Sequence, residues 1–424
     1  LVVTVQQDLH SSAQRSAKES RNMRILVVGG AGYIGSHCVL ECLREGHEVV
    51  VLDDLRAGHR EAIQDVELIE GSTHNPSTLR SAFEAHRFDA VFNLAASCSV
   101  PESVQIPAAY YHNNLAGTLN LVEAMLQAEV SVLIHSSTAA VYGDPEVTPI
   151  PESHRRQPVN PYGDSKRIVE ESLTAIAQRH PLQHVCLRYF NAAGADASGL
   201  IGEDHADESH LIPLLLQCAL GMRDQFIIFG TDWETPDGTC VRDFVHVTDI
   251  ARAHLKALGR IDRVAGESIN LGSAAGASVR EVVEAAKSVT EIDFKVVEEG
   301  RREGDPATLL ASNLKAKELL GWDPEHSEMS MIMETAWRWH RMHPTGYSST
   351  HKPLGNGSTR FGDLAVRLGF VTRDDVDRVV VEQQRLEHSG RGRKMMGLCM
   401  VEMGLLSTTQ LVEVLRHYEK GDIR

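Results

Sequence analysis

The sequence predicts an α/β protein: a doubly wound parallel sheet of Rossmann type, a smaller α/β substrate domain, and a C-terminal all-helical module. Three observations lead there. From Met23 onward, apolar runs of strand length alternate with helix-length stretches, the pattern of βαβ units. The first run, Ile25 to Val28, halts at Gly29, Gly32 and Gly35, spaced three apart. Beyond residue 359 the chain repeats itself with helical periodicity.

The glycine turn organises the first half. A strand buried on both faces reads as a continuous apolar run, and Ile25 to Val28 is one. Glycines after it let the chain reverse tightly and let the backbone approach a pyrophosphate, while a helix starting at Tyr33, Ile34 and Gly35 aims free amides at phosphate. Helix-forming residues run from Ser36 to Arg44, and Val49 to Leu52 then rebuilds a strand ending at Asp53. An acid there is placed to hold the adenosine ribose hydroxyls, so a dinucleotide, NAD, is the expected cofactor.

Further strands are expected at Glu67 to Ile69, Ala90 to Ala95, Val132 to Ser136 and His184 to Arg188. Helices are expected at Pro76 to Ala85, Ala108 to Gln127 and Pro161 to Arg179. Such sheets bind ligands beyond the carboxyl ends of their strands. Those positions hold Asp53, Asp54 and Leu55, then Ser72, Ala95 to Ser97, Ser136 to Thr138, and Tyr189 to Asn191. Past Asn191 the substrate domain begins, mostly residues 192–343, with Val245 to Ile250 and Ser268 to Leu271 crossing back to the larger sheet.

Composition narrows the function. A chain of 424 residues with a formal charge of −16 is a poor partner for nucleic acid or an anionic membrane. Seven cysteines, odd in number and without a Cys-x-x-Cys pair, suggest neither a disulfide framework nor a zinc site, and point to a reducing cytoplasm. No apolar run is long enough to span a bilayer. Residues 1–22 show no steady periodicity and are expected to be disordered, with Met23 the natural start.

Tyr162 and Lys166 lie one helical turn apart and share a face. A tyrosine hydroxyl near pKa 10 is a poor base at neutral pH, but a neighbouring ammonium and a cationic nicotinamide both favour the phenolate. Thr138, at a strand end, can hydrogen-bond the same substrate hydroxyl.

Several motifs together resemble one group. They are Gly29-Gly-Ala-Gly32-Tyr33-Ile34-Gly35-Ser36, Asp53-Asp54-Leu55, Tyr110-Tyr-His-Asn113-Asn114, Ser136-Ser-Thr138-Ala-Ala-Val-Tyr142-Gly, Pro161-Tyr162-Gly-Asp-Ser-Lys166, Leu187-Arg-Tyr189-Phe-Asn191, Asp237-Gly-Thr-Cys-Val-Arg242-Asp-Phe-Val-His246, and Arg301-Arg302-Glu-Gly-Asp305. From about Met23 to Tyr347 the chain resembles the extended short-chain dehydrogenase/reductase superfamily, and within it the UDP-sugar 4-epimerases. The resemblance implies an isomerase with a tightly held NAD and a catalytic set of Thr138, Tyr162 and Lys166. It implies cofactor contacts from Gly29, Gly32, Tyr33, Ile34, Gly35, Asp53, Asp54, Leu55, Ser72, Ala95, Asn113, Ser136, Tyr162, Lys166 and Tyr189. UDP-sugar contacts are implied for Thr138, Asn191, His210, Arg242, Arg302 and Asp305, the two arginines pairing with the diphosphate. A homodimer through the helices around Ala108 to Gln127 and Pro161 to Arg179 is implied as well.

The chain departs from some relatives at Cys98, where they have lysine, and at Ser72, where they have aspartate, which bears on cofactor retention. Ala139 and Ala140 stand where dehydratases carry an Asp-Glu pair, and methyl groups cannot move protons at C5 and C6. The implied reaction interconverts UDP-galactose and UDP-glucose. UDP-glucuronate and UDP-N-acetylglucosamine epimerases are the alternatives, and a non-catalytic NAD or sugar-nucleotide sensor is the reading from another class. Glu203 to Glu208 lacks regular metal-ligand spacing and reads as a polar loop, with no metal expected.

Residues 344–359 read as a linker rich in Pro, Gly, Ser and Thr. In the tail, Phe361 to Val376 returns as Met396 to Leu411: a short helix, a glycine stop at Gly369 or Gly404, an apolar pair, then Thr372 or Ser407 as cap of a second helix. The pattern is similar to helical repeats at the N-termini of bacterial secretion and pilus assembly ATPases, some of which bind cyclic di-GMP. Arg360 and Gln383 match in the first copy only, while the second begins at Met395, so a docking or dimerisation module stands beside a cyclic-dinucleotide-binding unit.

Overall fold

Six strands follow the glycine-turn logic closely: β1 (Arg24–Val28), β2 (Glu48–Asp53), β3 (Glu67–Glu70), β4 (Ala90–Asn93), β5 (Val132–Thr138) and β6 (Gln183–Tyr189). In this computed structural model residues 22–302 and 305–347 are described, with 365–366, 368–372, 375–376, 378–380, 396–407, 410–411 and 414 of the tail. The expected N-terminal disorder, linker residues 348–359, and the positions of Arg360, Gln383 and Met395 lie outside those residues, whereas 344–347, expected as the start of the linker, belong to the first unit, where Tyr347 is buried. The chain divides into two compact units after Tyr347.

All six strands are parallel, in the order β3-β2-β1-β4-β5-β6, and Ser268–Leu271 adds a seventh beside β6. Chain direction across the sheet reverses between β1 and β4, which opens a crevice at their carboxyl ends. Alternate residues of the first strands feed two cores. Ile25, Val27, Val49 and Val51 enter one apolar cluster, while Leu26, Val28, Val50 and Leu52 enter the other. Burial on both faces is why these strands read as unbroken apolar runs.

The helix Tyr33–Arg44 follows the glycine turn and packs against the helix Val247–Gly259. The segment Val245 to Ile250 therefore crosses back only partly as strand: Phe244–His246 is extended, and helix begins at Val247. His246 caps it, its Nδ1 accepting from Thr248 N at 3.1 Å. The expected helix from Ala108 to Gln127 is three pieces, Pro107–Tyr110, a wide π-turn Tyr111–Ala116, and Gly117–Gln127. There the Thr118 hydroxyl bonds the Asn114 carbonyl at 2.7 Å, and Gly117 leaves no room for a side chain against Thr73.

The smaller domain packs the helices Leu211–Ala219, Val279–Thr290 and Met329–Met342 on the strand pair Phe226–Phe229 and Val296–Glu299. Val241–Arg242 lies between Ala277–Ser278 and Thr308–Leu309, and Asn191–Ala193 pairs with Phe244–His246.

In the second unit Ala365, Val371, Val376 and Val379 share one buried cluster with Met396, Cys399, Met400, Leu406 and Val414. Both repeat copies carry the same punctuation. Gly369 and Gly404 each have φ near +70°. The Thr372 hydroxyl accepts from Asp375 N while its own amide donates to the Asp375 carboxylate, and Ser407 and Gln410 repeat that exchange.

Candidate active site

Glycine at the turn is a spatial requirement at two positions. A Cβ on Gly29, whose φ is +76°, would sit 2.5 Å from Ala95 N, and one on Gly35 would sit 2.0 Å from Gly29 O. At Gly32 the nearest atom would be Gly29 O at 3.5 Å, so space stays open over the first helical turn. Tyr33, Ile34 and Gly35 occupy that turn, whose amides have no intrahelical acceptor. The Tyr33 side chain points elsewhere: its hydroxyl donates to Gly194 O at 2.6 Å. Asp53 closes β2 and accepts from Ala31 N and Leu55 N, both at 2.9 Å. Burial raises its carboxyl above the ordinary value, although these amides pull it down. Leu55 holds φ 55°, an uncommon conformation for leucine, at the same rim.

Three more expected cofactor residues meet through two that the sequence reading missed. Arg56 donates to Asp54 at 2.8 Å and to Asn113 Oδ1 at 2.9 Å. His74 lies 3.2 Å from the same Asn113 oxygen, and its amide donates to Ser72 Oγ at 3.3 Å.

Across the crevice, Asn160 caps the helix Pro161–Ala177 by accepting from Gly163 N at 2.8 Å, with Pro161 in the first turn. This start fixes Tyr162 and Lys166 on the face toward β5. Gly163 makes the approach feasible, since a Cβ there would fall 2.4 Å from Ala140 O. The Tyr162 hydroxyl lies close enough to Thr138 to feel its side chain, and Lys166 Nζ donates to Ser136 O at 2.8 Å. Burial pushes the Tyr162 hydroxyl above its usual pKa and the Cys98 thiol adds to this, while Thr138 opposes it. Burial also lowers Lys166 to about 8. A phenolate here therefore needs positive charge close by, which an ammonium and a cationic ring would supply.

A third residue outside the expected site set, although its motif stood out in the sequence, is Asn114 of the π-turn. Its amide nitrogen donates to Ser97 O and Ser165 Oγ, both at 3.0 Å, and its oxygen accepts from Ser97 N at 2.8 Å. It thereby ties the loop after β4, next to Cys98, to the helix carrying Tyr162. Behind β5, Glu170 is buried and takes four donors: Ser137 Oγ and Arg188 Nε on one oxygen, Arg188 Nη2 and Arg156 Nη1 on the other. Tyr189 places its hydroxyl 2.7 Å from His254 Nε2 in the core.

The expected sugar-nucleotide residues gather less tightly. Arg242 pairs with Asp305 at 3.4 Å and donates to Pro306 O at 2.9 Å. The Arg302 guanidinium covers the Phe229 ring at 3.9 Å, and Asn191 is exposed at the start of its strand. His210 Nδ1 is taken up by Glu203 and Glu208. A separate cavity of about 530 Å³, lined by Leu40, Leu43, Ile63 and Ile201, includes none of these side chains.

A Rossmann sheet with an open glycine turn, an acid at the end of β2 and a Thr-Tyr-Lys set define the class: the chain belongs to the NAD dependent epimerase/dehydratase family, whose model matches residues 25–272. Among its relatives within that family are UDP-glucose 4-epimerases. That of Halalkalibacterium halodurans is 48% identical over 332 residues, 78% of this chain and 99% of the relative. The crystal structure of the Brucella ovis UDP-glucose 4-epimerase in complex with NAD superposes with TM-score 0.73 at 41% identity, covering 74% of this chain and 97% of the other. The Bifidobacterium longum UDP-glucose 4-epimerase in complex with NAD+ and UDP gives TM-score 0.73 at 34% identity, with 76% and 100% covered. Among the described residues no helix is long and apolar enough to cross a membrane.

Proposed function

We propose that this protein is a UDP-glucose 4-epimerase, interconverting UDP-galactose and UDP-glucose. What supports the reading is that Thr138 closes β5 while Tyr162 and Lys166 face it from the next helix, in the same parallel sheet whose β1 ends at the glycine turn. The residues present fit NAD: the space over Gly32, the first-turn amides of Tyr33, Ile34 and Gly35, and the Asp53 carboxylate suit a pyrophosphate and a ribose. Bound NAD supplies the hydride acceptor and donor that carries sugar C4 through a ketone and back, with no net redox.

The chain's own groups do the rest. Tyr162 takes the proton of the C4 hydroxyl and returns it, acting as base and then acid. Thr138 hydrogen-bonds that hydroxyl and holds it in line with Tyr162. Lys166, anchored on Ser136 O, keeps positive charge beside the phenolate. Arg242 and Arg302 grip the diphosphate, Asp305 orients Arg242, and Asn191 lines the sugar end.

A homodimer fits the exposed Val104 and Ile106 just ahead of the Ala108 to Gln127 stretch and Leu119 within it, and the seven free thiols suit the cytoplasm. The tail acts as a docking unit, with cyclic di-GMP as the ligand to test. Incubation with UDP-galactose should yield UDP-glucose without added reductant. Turnover confined to UDP-glucuronate or UDP-N-acetyl sugars would move the substrate assignment, and none at all would leave a sensor.

A further inference from the structure

The loop leading into the helix Leu211–Ala219 carries Glu203-x-His205-x-x-Glu208-x-His210. Its spacing is neither helical nor of a zinc-finger kind, yet the fold brings one ligating atom from each residue within 4.8 Å of the others. His210 Nδ1 is 2.9 Å from both Glu203 Oε1 and Glu208 Oε1. His205 Nδ1 is 3.4 Å from Glu203 Oε1 and 3.3 Å from Glu208 Oε2. Tetrahedral zinc with bonds of about 2.0–2.1 Å has ligand-to-ligand edges of about 3.3 Å. With either Glu208 oxygen as the ligand, three nitrogen-to-oxygen edges of such a tetrahedron are nearly formed, and the remaining separations, none above 4.8 Å, have to close.

Charge points the same way, and burial is confined to the carboxylates, since the His205 and His210 side chains are 25% and 54% exposed. The Glu203 and Glu208 side chains are 7% and 6% exposed, and among the described residues their ion pairs go to the two histidines alone, with no lysine or arginine. Tyr33, His340 and Asp204 are the other titratable groups around them. Two buried carboxylates with two neutral imidazoles make a neutral cluster around one divalent cation, and nitrogen with carboxylate oxygen is a ligand set that zinc accepts. Four protein ligands leave no open position, which marks a structural site rather than a catalytic one.

We propose that Glu203, His205, Glu208 and His210 form a structural zinc site, which assigns His210 to a metal instead of the UDP-sugar. The ion would stiffen a loop that already touches the cofactor half of the molecule. His205 packs edge-on against Tyr33 at 6.5 Å, and His59 Nε2 lies 3.3 Å from the Asp204 carbonyl. Trp339 Nε1 holds Glu203 O at 3.0 Å from the other side.

The test uses the full chain, stripped with chelator and reloaded with zinc or cobalt alone. After dialysis the wild type should retain about one equivalent of zinc, gain melting temperature over the stripped form, and with cobalt show the visible absorption of tetrahedral geometry. His205→Gln and the near-isosteric Glu208→Gln should each weaken zinc binding beyond the roughly 10–100-fold typical of losing an outer-shell partner. Asp207→Asn, on the same loop and exposed, should bind like the wild type. Retention of no metal by the wild type, undiminished binding in a folded His205→Gln or Glu208→Gln protein, or equal loss in Asp207→Asn would each overturn the site.

Discussion

Replacing Glu170 by glutamine removes one charge from the core behind β5. Each carboxylate oxygen accepts two donors, at 2.6 and 2.9 Å on either side, and Arg188 is 4% exposed at its side chain. An amide presents one acceptor and one NH2. Whichever way it turns, the NH2 faces an arginine N–H that cannot accept, and Arg188 is left buried without a counter-charge. Breaking a buried pair from one side costs about 3–5 kcal/mol, so Glu170→Gln should lower unfolding free energy by that amount in urea titrations followed by tryptophan fluorescence near neutral pH. A loss under about 1 kcal/mol, the scale of a surface pair, would refute the network as a structural brace. Acid adds a second reading. Burial alone would raise the Glu170 carboxyl, but Arg188, Ser137 and Arg156 bring it below the ordinary value. Its contribution is therefore complete above the unfolded pKa of about 4.3 and fades as pH falls through the lower folded value. The stability gap between wild type and variant should narrow across that window.

Tyr162→Phe should lower epimerase turnover by about 10²- to 10⁴-fold, the usual worth of a positioned proton acceptor, while calorimetry shows UDP-sugar binding unchanged; near-wild-type turnover would exclude it as the base. Gly163→Ala should push the helix off Ala140 O and cut turnover with a small effect on UDP-sugar affinity, read from steady-state kinetics. Because the Asp53 carboxylate would repel a ribose 2′-phosphate, cofactor-free protein should be activated by NAD well before NADP, and equal activation would count against Asp53. A chain ending just after Tyr347 should keep its activity and melting temperature. One ending before that residue should lose stability, since Tyr347 N donates to Asp204 at 2.8 Å and its hydroxyl receives Gly202 N at 3.0 Å.

The parallel sheet was legible because burial on both faces writes itself as unbroken apolar sequence, and the glycine spacing located the crevice within it. Tyr162 and Lys166 were legible for a similar reason: four residues apart on a helix is a geometric statement. What stayed hidden depends on distant partners. Asn114 looks like any polar residue until the π-turn rotates it onto Ser97 and Ser165. Glu170 and Arg188 are 18 residues apart, one on a helix and one on a strand, and neither period announces the pair. The start of the helix at Val247 stays hidden because His246 is an unusual cap, and Val245 to Ile250, with apolar residues only at 245, 247 and 250, is too short and mixed to separate strand from helix. By spacing Glu203 to Glu208 is a polar loop, and the resemblance gives His210 to the UDP-sugar; spacing is uninformative where irregular backbone brings side chains together.

Of the seven thiols, six are buried and Cys98 alone is exposed. It lies near enough to Tyr162 and Lys166 to act on both electrostatically. Alkylation of the native enzyme should consequently stop at one modification per chain, placed at the lip of the pocket. Labelling rate then becomes an occupancy gauge that needs no turnover, slowing as nucleotide sugar fills the site. A cysteine-directed inhibitor would likewise find a foothold here that a lysine at this position does not offer.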